Sequence, residues 1–271
     1  MSKNKNTGTC ALCEKTNIQL RASHLIPKLA YTRTRTTKKS RFRAMNDIKQ
    51  PLQDGEKKYL LCDNCEEFFS GFETQFANKF LDNFLKSKKL NKKCFKESWF
   101  QNYVLSVAWR IMYDDLYNAG SFTDESCRSV FEEYENSVRK YFNTLINNLP
   151  QTVPSCTHYI YKVDEIVSEA NIIKLLEPSL FGYCYFDGEY HLPIVISYYL
   201  GLVFVTVFHD ANLIFIDTPK KAFKRKYCLS KIIREITCKE IKEEAIQMAT
   251  MYRENMTPDL QEKINKYYNK L

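Results

Sequence analysis

The sequence predicts an α+β protein built as an N-terminal cysteine-paired module, a helical middle, and a C-terminal antiparallel sheet with closing helices. Three observations carry that expectation. Two Cys-x-x-Cys pairs, Cys10/Cys13 and Cys62/Cys65, enclose a segment with little helical periodicity. Phenylalanines then recur every fourth residue from Phe68 to Phe84, and helical patterning continues to Leu149. From Cys156 onward, Tyr, Phe, Val and Ile gather in short runs separated by turn residues.

The elements follow in order. A knuckle at Cys10–Cys13 leads into a strand or hairpin around Ile18–Ile26. The polar stretch Thr32–Ser40 has no core-facing stripe and is expected as an exposed loop. Gln53-Asp54-Gly55 marks a turn, and Lys58–Leu61 a second strand running into Cys62. The Phe68, Phe72, Phe76, Phe80 and Phe84 stripe then makes one helix, followed by a lysine-rich link at Lys86–Lys93. A second helix spans about Glu97–Asn118, with Trp99 and Trp109 read as core and Asp114-Asp115 as a solvated face. Thr123 caps a third helix that ends at Pro150. Strands are expected at Thr157–Val163, Leu180–Phe186, Tyr190–Ser197, Leu202–Phe208 and Leu213–Asp217, joined as a meander through turns at Asp187-Gly188 and His209–Asn212. A basic link, Lys220–Lys226, precedes helices at about Ser230–Glu254 and Pro258–Asn269. The divisions are 1–86, 87–150 and 151–271.

Composition narrows the class. The chain has 271 residues, 44% hydrophobic and 27% charged, which excludes wholesale disorder. Its longest apolar stretch, Leu192–Phe208, is broken by Pro193, Ser197 and Gly201, short of the ~20 residues of a membrane helix. The first residues lack an apolar core for secretion, so a cytoplasmic location is expected. With only 7 glycines and no nucleophile elbow or Walker loop, the usual phosphate-cradling motifs are excluded. His158, His191 and His209 have no partners at metal spacing and read as structural.

The net charge is +8, and Arg21–Lys58 alone carries eleven basic residues against three acidic ones, a surplus of eight. Arg21, Lys28, Arg33, Arg35, Lys38, Lys39, Arg41 and Arg43, with Tyr31 and Phe42 interleaved, make a phosphate-attracting segment for DNA or RNA. A solvated, self-repelling loop is the plainer account of the same residues. The paired cysteines, in a reducing compartment, point to metal rather than disulfides. Four thiolates close a tetrahedral Zn²⁺ site that would be structural, supplying folding free energy to a module with few apolar residues. The other six cysteines read as small core residues.

Between the pairs lies Ser23-His24-Leu25-Ile26-Pro27, and Leu61-Cys62-x-x-Cys65 opens a helix. This order resembles the zinc-stabilised HNH endonucleases, over about residues 8–85. The resemblance implies a treble-clef zinc site bracing a β-hairpin and helix (the ββα-metal arrangement) that holds one catalytic divalent metal, Mg²⁺ or Mn²⁺. It implies His24 as the general base activating water, and Cys10, Cys13, Cys62 and Cys65 as structural zinc ligands. The match is degenerate. Ser23 stands where an acidic or His ligand is usual, Glu66 where His is usual, and Lys57 or Lys58 where an Asn orients the base. Glu66, with Glu67 beside it, and Asp54 are the candidates for the missing metal ligands. Each has a structural account too: His24 donating to a backbone carbonyl, Glu66 favouring the helix dipole, Asp54 forming the turn.

The function expected is a metal-dependent nuclease hydrolysing phosphodiester bonds, with bacterial anti-phage effectors as the setting the family suggests. The alternative is a non-catalytic zinc module binding nucleic acid or a protein partner, the C-terminal unit being the other candidate for a protein contact.

Overall fold

The computed structural model describes residues 6–34, 42–43, 51–52, 55–209, 219–259 and 262, with side chains at 43, 51 and 219–228 left aside. The expected strand at 213–217, the turn residues 210–212 and most of the last helix fall outside them.

The N-terminal module begins with β1 (Thr7–Gly8), paired antiparallel to β2 (Ile18–His24), which pairs antiparallel to β5 (Lys57–Cys62). The β2–β5 register shifts between Arg21 and Ala22. That bulge leaves Leu60, Leu61 and Cys62 all buried at the end of β5, whereas a regular strand would alternate. Between the strands come α1 (Lys28–Thr34) and a small ladder of β3 (Phe42–Arg43) with β4 (Pro51–Leu52). The helix α1 occupies the start of the expected loop. Its buried pair, Ala30 and Tyr31, spans too little sequence to register as a period, and Pro27 precedes it. Gly55 (φ 91°) lies against the Tyr31 ring, where an added Cβ would sit 2.2 Å from a ring carbon.

The phenylalanine stripe is real, but one continuous α-helix does not carry it. The segment runs as α2 (Asp63–Phe76), a π-helical turn (Ala77–Leu81) and α3 (Asp82–Ser87). A four-residue spacing overshoots the 3.6-residue α turn and would wind the stripe round the axis. The wider π turn takes up that excess. Phe76, Phe80 and Phe84 thereby stay buried on one side, while Phe69 is buried in the preceding turns. Phe76 stacks on Tyr103 at 3.8 Å between centroids.

A 3-10 turn (Cys94–Lys96) leads to α4 (Ser98–Tyr117), which is buried on almost every side. Its apolar residues face in as expected, and Trp109 is fully enclosed. Trp99 is only partly buried, with the Lys79 ammonium 5.4 Å from its ring. Asp114 and Asp115 are not a solvated face: both are buried. Asp115 accepts from the Cys184 N–H at 2.7 Å and from Ser121 at 3.1 Å, and Asp114 from Asn118 at 2.9 Å. Local spacing gives no sign of the Cys184 partner, which is 69 positions away. The next helix, α5 (Glu125–Ile146), is capped by Asp124 rather than Thr123, its carboxylate accepting from Ser126 N–H at 2.7 Å. Phe142 joins its buried side, while Leu149, beyond the helix end, is exposed.

The C-terminal sheet comprises β6 (Cys156–Lys162), β7 (Phe181–Asp187), β8 (Leu192–Tyr199) and β9 (Leu202–Phe208), all antiparallel, in the order β6-β9-β8-β7. Three strands form the expected meander, and β6 crosses over to flank β9. The tight β8–β9 connection puts both Leu200 (φ 58°) and Gly201 (φ 77°) in the left-handed region, as two-residue hairpins with right-handed strand twist require. Along β9, Leu202, Phe204 and Phe208 face one core and Val203, Val205 and Val207 another. Both faces are covered, which is why β8 and β9 read as largely apolar runs rather than alternating ones. The helices α4 and α5 cover the first face. The second is covered by α6 (Val163–Ile166), α7 (Ala170–Leu176) and α8 (Pro219–Asn255), which bring Ile166, Ile172, Leu176, Ile233, Ile241, Ala245 and Met248. The expected basic link at 220–226 is the first part of α8. The first core draws on all three stretches of the chain, from Cys10 to Phe208.

Candidate metal centre and the hairpin beside it

Cys10 and Cys13 sit on the knuckle between β1 and β2, and Cys62 and Cys65 at the junction of β5 and α2. The knuckle is shaped by its backbone: Cys10 N–H donates to Lys15 O at 3.0 Å, Glu14 N–H to Cys10 O at 2.9 Å, and Ala11 N–H to Leu60 O at 3.0 Å. That last bond joins the two halves of the site across the chain. Glu14 adopts φ 57° to close the turn.

The four Sγ atoms all lie within 4.8 Å of one another, and Cys13 and Cys62 are 3.8 Å apart. A tetrahedron with Zn–S bonds of ~2.3 Å has an S···S edge of ~3.8 Å, so the spacing suits a shared ion. A disulfide needs ~2.05 Å. The tetrad can therefore hold one zinc ion. Its protons are unevenly shared in advance. A hydrogen bond from Cys65 pulls the Cys10 thiol down to about 4; burial opposes it, and the N–H groups of Cys13, Cys62 and Leu12 assist. Cys65, the donor, is pushed up, first by that bond and then by burial. Burial raises Cys13.

The site is tied into the helices behind it. Arg139 of α5 pairs with Glu14 on the knuckle and with Glu135 at 3.2 Å. Glu135 is fully buried and also accepts from Trp109 Nε1 at 2.9 Å; burial raises its carboxyl despite Arg139. A pocket of about 200 Å³ lies here, walled by Tyr113, Tyr117, Glu135 and Arg139.

Ser23 and Glu66 come together. Ser23 Oγ donates to Glu66 Oε2 at 2.5 Å, linking the strand directly to the first turn of α2. The neighbouring residue, His24, takes the other pleated face. It is opposite Lys57, as Ala22 is opposite Tyr59. It is 9% exposed, and its ring lies 5.8 Å from that of Tyr31. Glu67 is exposed. Lys58 reaches Asp114 at 3.6 Å and Glu56 at 3.4 Å. Among the described residues no second group of three His, Cys, Asp or Glu side chains is arranged to hold a metal. Asp54 lies outside them.

Of the basic segment, Arg21 is exposed and paired with Asp63, Arg33 pairs with Asp82 at 2.8 Å, and Lys28 is exposed. Arg35, Lys38, Lys39 and Arg41, and the Arg43 side chain, lie outside the described residues.

The residue that sequence patterning missed is Arg110. It is 1% exposed, in the middle of α4, and donates to the His24 carbonyl at 3.1 Å, to Ser106 O at 3.3 Å and to Glu73 Oε1 at 2.7 Å, with its guanidinium over Phe69. A lone arginine within an apolar helical run was the available signal. No family model, curated protein or solved structure matches the chain, and no described helix is long and apolar enough to cross a membrane.

Proposed function

We propose that the N-terminal module is an HNH-type endonuclease unit that hydrolyses phosphodiester bonds in nucleic acid. One arrangement supports this reading. The cysteine tetrad ties the β2–β5 hairpin to the start of α2, where Ser23 and Glu66 meet, and His24 follows Ser23 on the opposite face of the strand. Zinc at the tetrad is structural, since four sulfurs leave no open position for water.

The oxygen donors at the junction, the Glu66 carboxylate and the Ser23 hydroxyl, are of the kind that Mg²⁺ or Mn²⁺ prefers, with Asp54 as the further candidate. A divalent ion bound there supplies positive charge to the phosphate as negative charge builds on it. His24 takes the proton from the attacking water, work suited to a near-neutral side chain. Arg110 fixes the His24 backbone. Lys28, Arg21 and the other basic residues of 21–58 hold phosphates; the Arg21–Asp63 pair is exposed, so it yields readily to a phosphate.

Plasmid incubated with Mg²⁺ or Mn²⁺ tests the assignment. We expect nicking by the wild type and a loss of about 10²–10⁴-fold in His24→Ala. Equal nicking by both proteins, or none by either, overturns it.

A second reading, a non-catalytic zinc module that binds nucleic acid or a protein partner, is favoured by one specific feature. Ser23 and Glu66 are 2.5 Å apart, closer than the ~3 Å oxygen–oxygen edge of an octahedral Mg²⁺ site, and bonded to each other. That reading predicts salt-sensitive binding of DNA or RNA without cleavage. Docking on an acidic protein instead predicts no binding to either.

A further inference from the structure

The outward face of the β2–β5 hairpin carries Tyr59, the most exposed aromatic ring among the described residues at 57%. Its exposure has a local cause. Its cross-strand partner is Ala22, whose single methyl group cannot cover a ring. The next pair on the same face, two residues along each strand, is His24 with Lys57. Tyr59 thus lies about 6.7 Å along the strand from the His24–Lys57 pair. Arg21, also exposed, precedes Ala22. The ring directly follows the stretch 21–58, whose sequence carries a surplus of eight positive charges.

We propose that Tyr59 is a stacking platform for an unpaired nucleobase, and that the module engages single-stranded or locally unpaired nucleic acid. The inference rests on the nucleic-acid reading above and narrows its substrate. A flat ring opposed only by a methyl group offers a face to a base, whatever its sequence, while Lys57 on the same face is a cation for an adjoining phosphate. In a duplex the base faces are already covered by their neighbours, so this ring has nothing to stack on. With the base on Tyr59, the adjoining backbone would run toward the His24–Lys57 pair, the next along the same face.

The test is a fluorescence-anisotropy titration of the zinc-loaded full chain with a labelled single strand, as DNA and as RNA, and with the matching DNA duplex. Tyr59→Thr removes the ring while keeping a strand-favouring residue, and Tyr59→Trp keeps a ring. We expect Tyr59→Thr to bind the single strand about tenfold more weakly, Tyr59→Trp to bind it at least as well as wild type, and duplex affinity to stay unchanged. The salt dependence of single-strand binding should keep its slope, because no charge is removed. Circular dichroism confirms that each variant is folded. Unchanged single-strand binding by Tyr59→Thr, or equal weakening on duplex, overturns this inference and leaves the nucleic-acid reading standing. If the wild type binds neither probe, both fall.

Discussion

His158 is a residue whose surroundings constrain its chemistry. Burial lowers its imidazole from 6.5 to about 4, and its Nδ1 is 2.9 Å from Thr206 Oγ1 across the β6–β9 ladder. Because the folded-state value is depressed, the unfolded chain binds the proton first as pH falls. The stability held by a neutral His158 is complete above about 6.5 and drains away towards 4. In urea titrations at pH 7 and pH 4.5, we expect the wild type to lose roughly 2 kcal/mol more than His158→Gln. Comparing the two proteins cancels the acid sensitivity of the metal site, which they share. Equal losses would show that the imidazole is not held neutral. Individual residues were also where sequence reading was most uneven. The four metal-site cysteines were legible because their spacing is local within each pair. Arg110, Glu135 and Asp115 were not, since each is satisfied by groups remote in sequence: His24, Trp109 and Cys184.

At the scale of elements, helices and strands were legible wherever one period ran long enough. Both α4 and β9 fall almost where their patterns put them. The failures have physical reasons. The π turn at Ala77–Leu81 looks like plain helix in sequence, because a four-residue repeat is close to both geometries. Helix α1 is only seven residues long. The crossing of β6 to the far side of β9 is a matter of topology, to which local patterning is blind. How closely the layers approach is likewise invisible, and Gly182 on β7 makes that approach possible. A Cβ there would sit 2.4 Å from Cδ1 of Ile111 on α4 and 2.9 Å from its Cγ1. Gly182→Ala should therefore cost about 1–3 kcal/mol in chemical denaturation. Adding Ile111→Val, which removes Cδ1, should recover part of the loss. A Gly182→Ala protein as stable as wild type would mean that Ile111 turns aside freely.

For the whole molecule, the tetrad and the helices behind it act together. Leu12, Leu60 and Leu61 share one buried cluster with Phe69, Trp109 and Phe142, and that cluster reaches Phe204 and Phe208 of the sheet. Removing the ion should consequently be felt far beyond the first 65 residues. We expect a zinc chelator, or Cys65→Ser, to lower the melting temperature of the whole chain in a single transition, with near-ultraviolet signal from Trp109 lost in the same step. A separate early transition that leaves the tryptophan signal intact would show that the module melts alone.

The shared cluster also bears on how such a chain can be recombined. A unit whose core is its own can be spliced between genes as a cassette. Here a cut after α3 would leave Phe69, Phe76, Phe80 and Phe84 without the α4 surface they pack on, and α4 without the Arg110 contacts that hold it to the hairpin and to α2. Grafting the hairpin and cysteines onto another scaffold means carrying α4 along, and with α4 the strand β7 that Gly182 brings against it. The smallest transplantable piece is larger than its conspicuous motif.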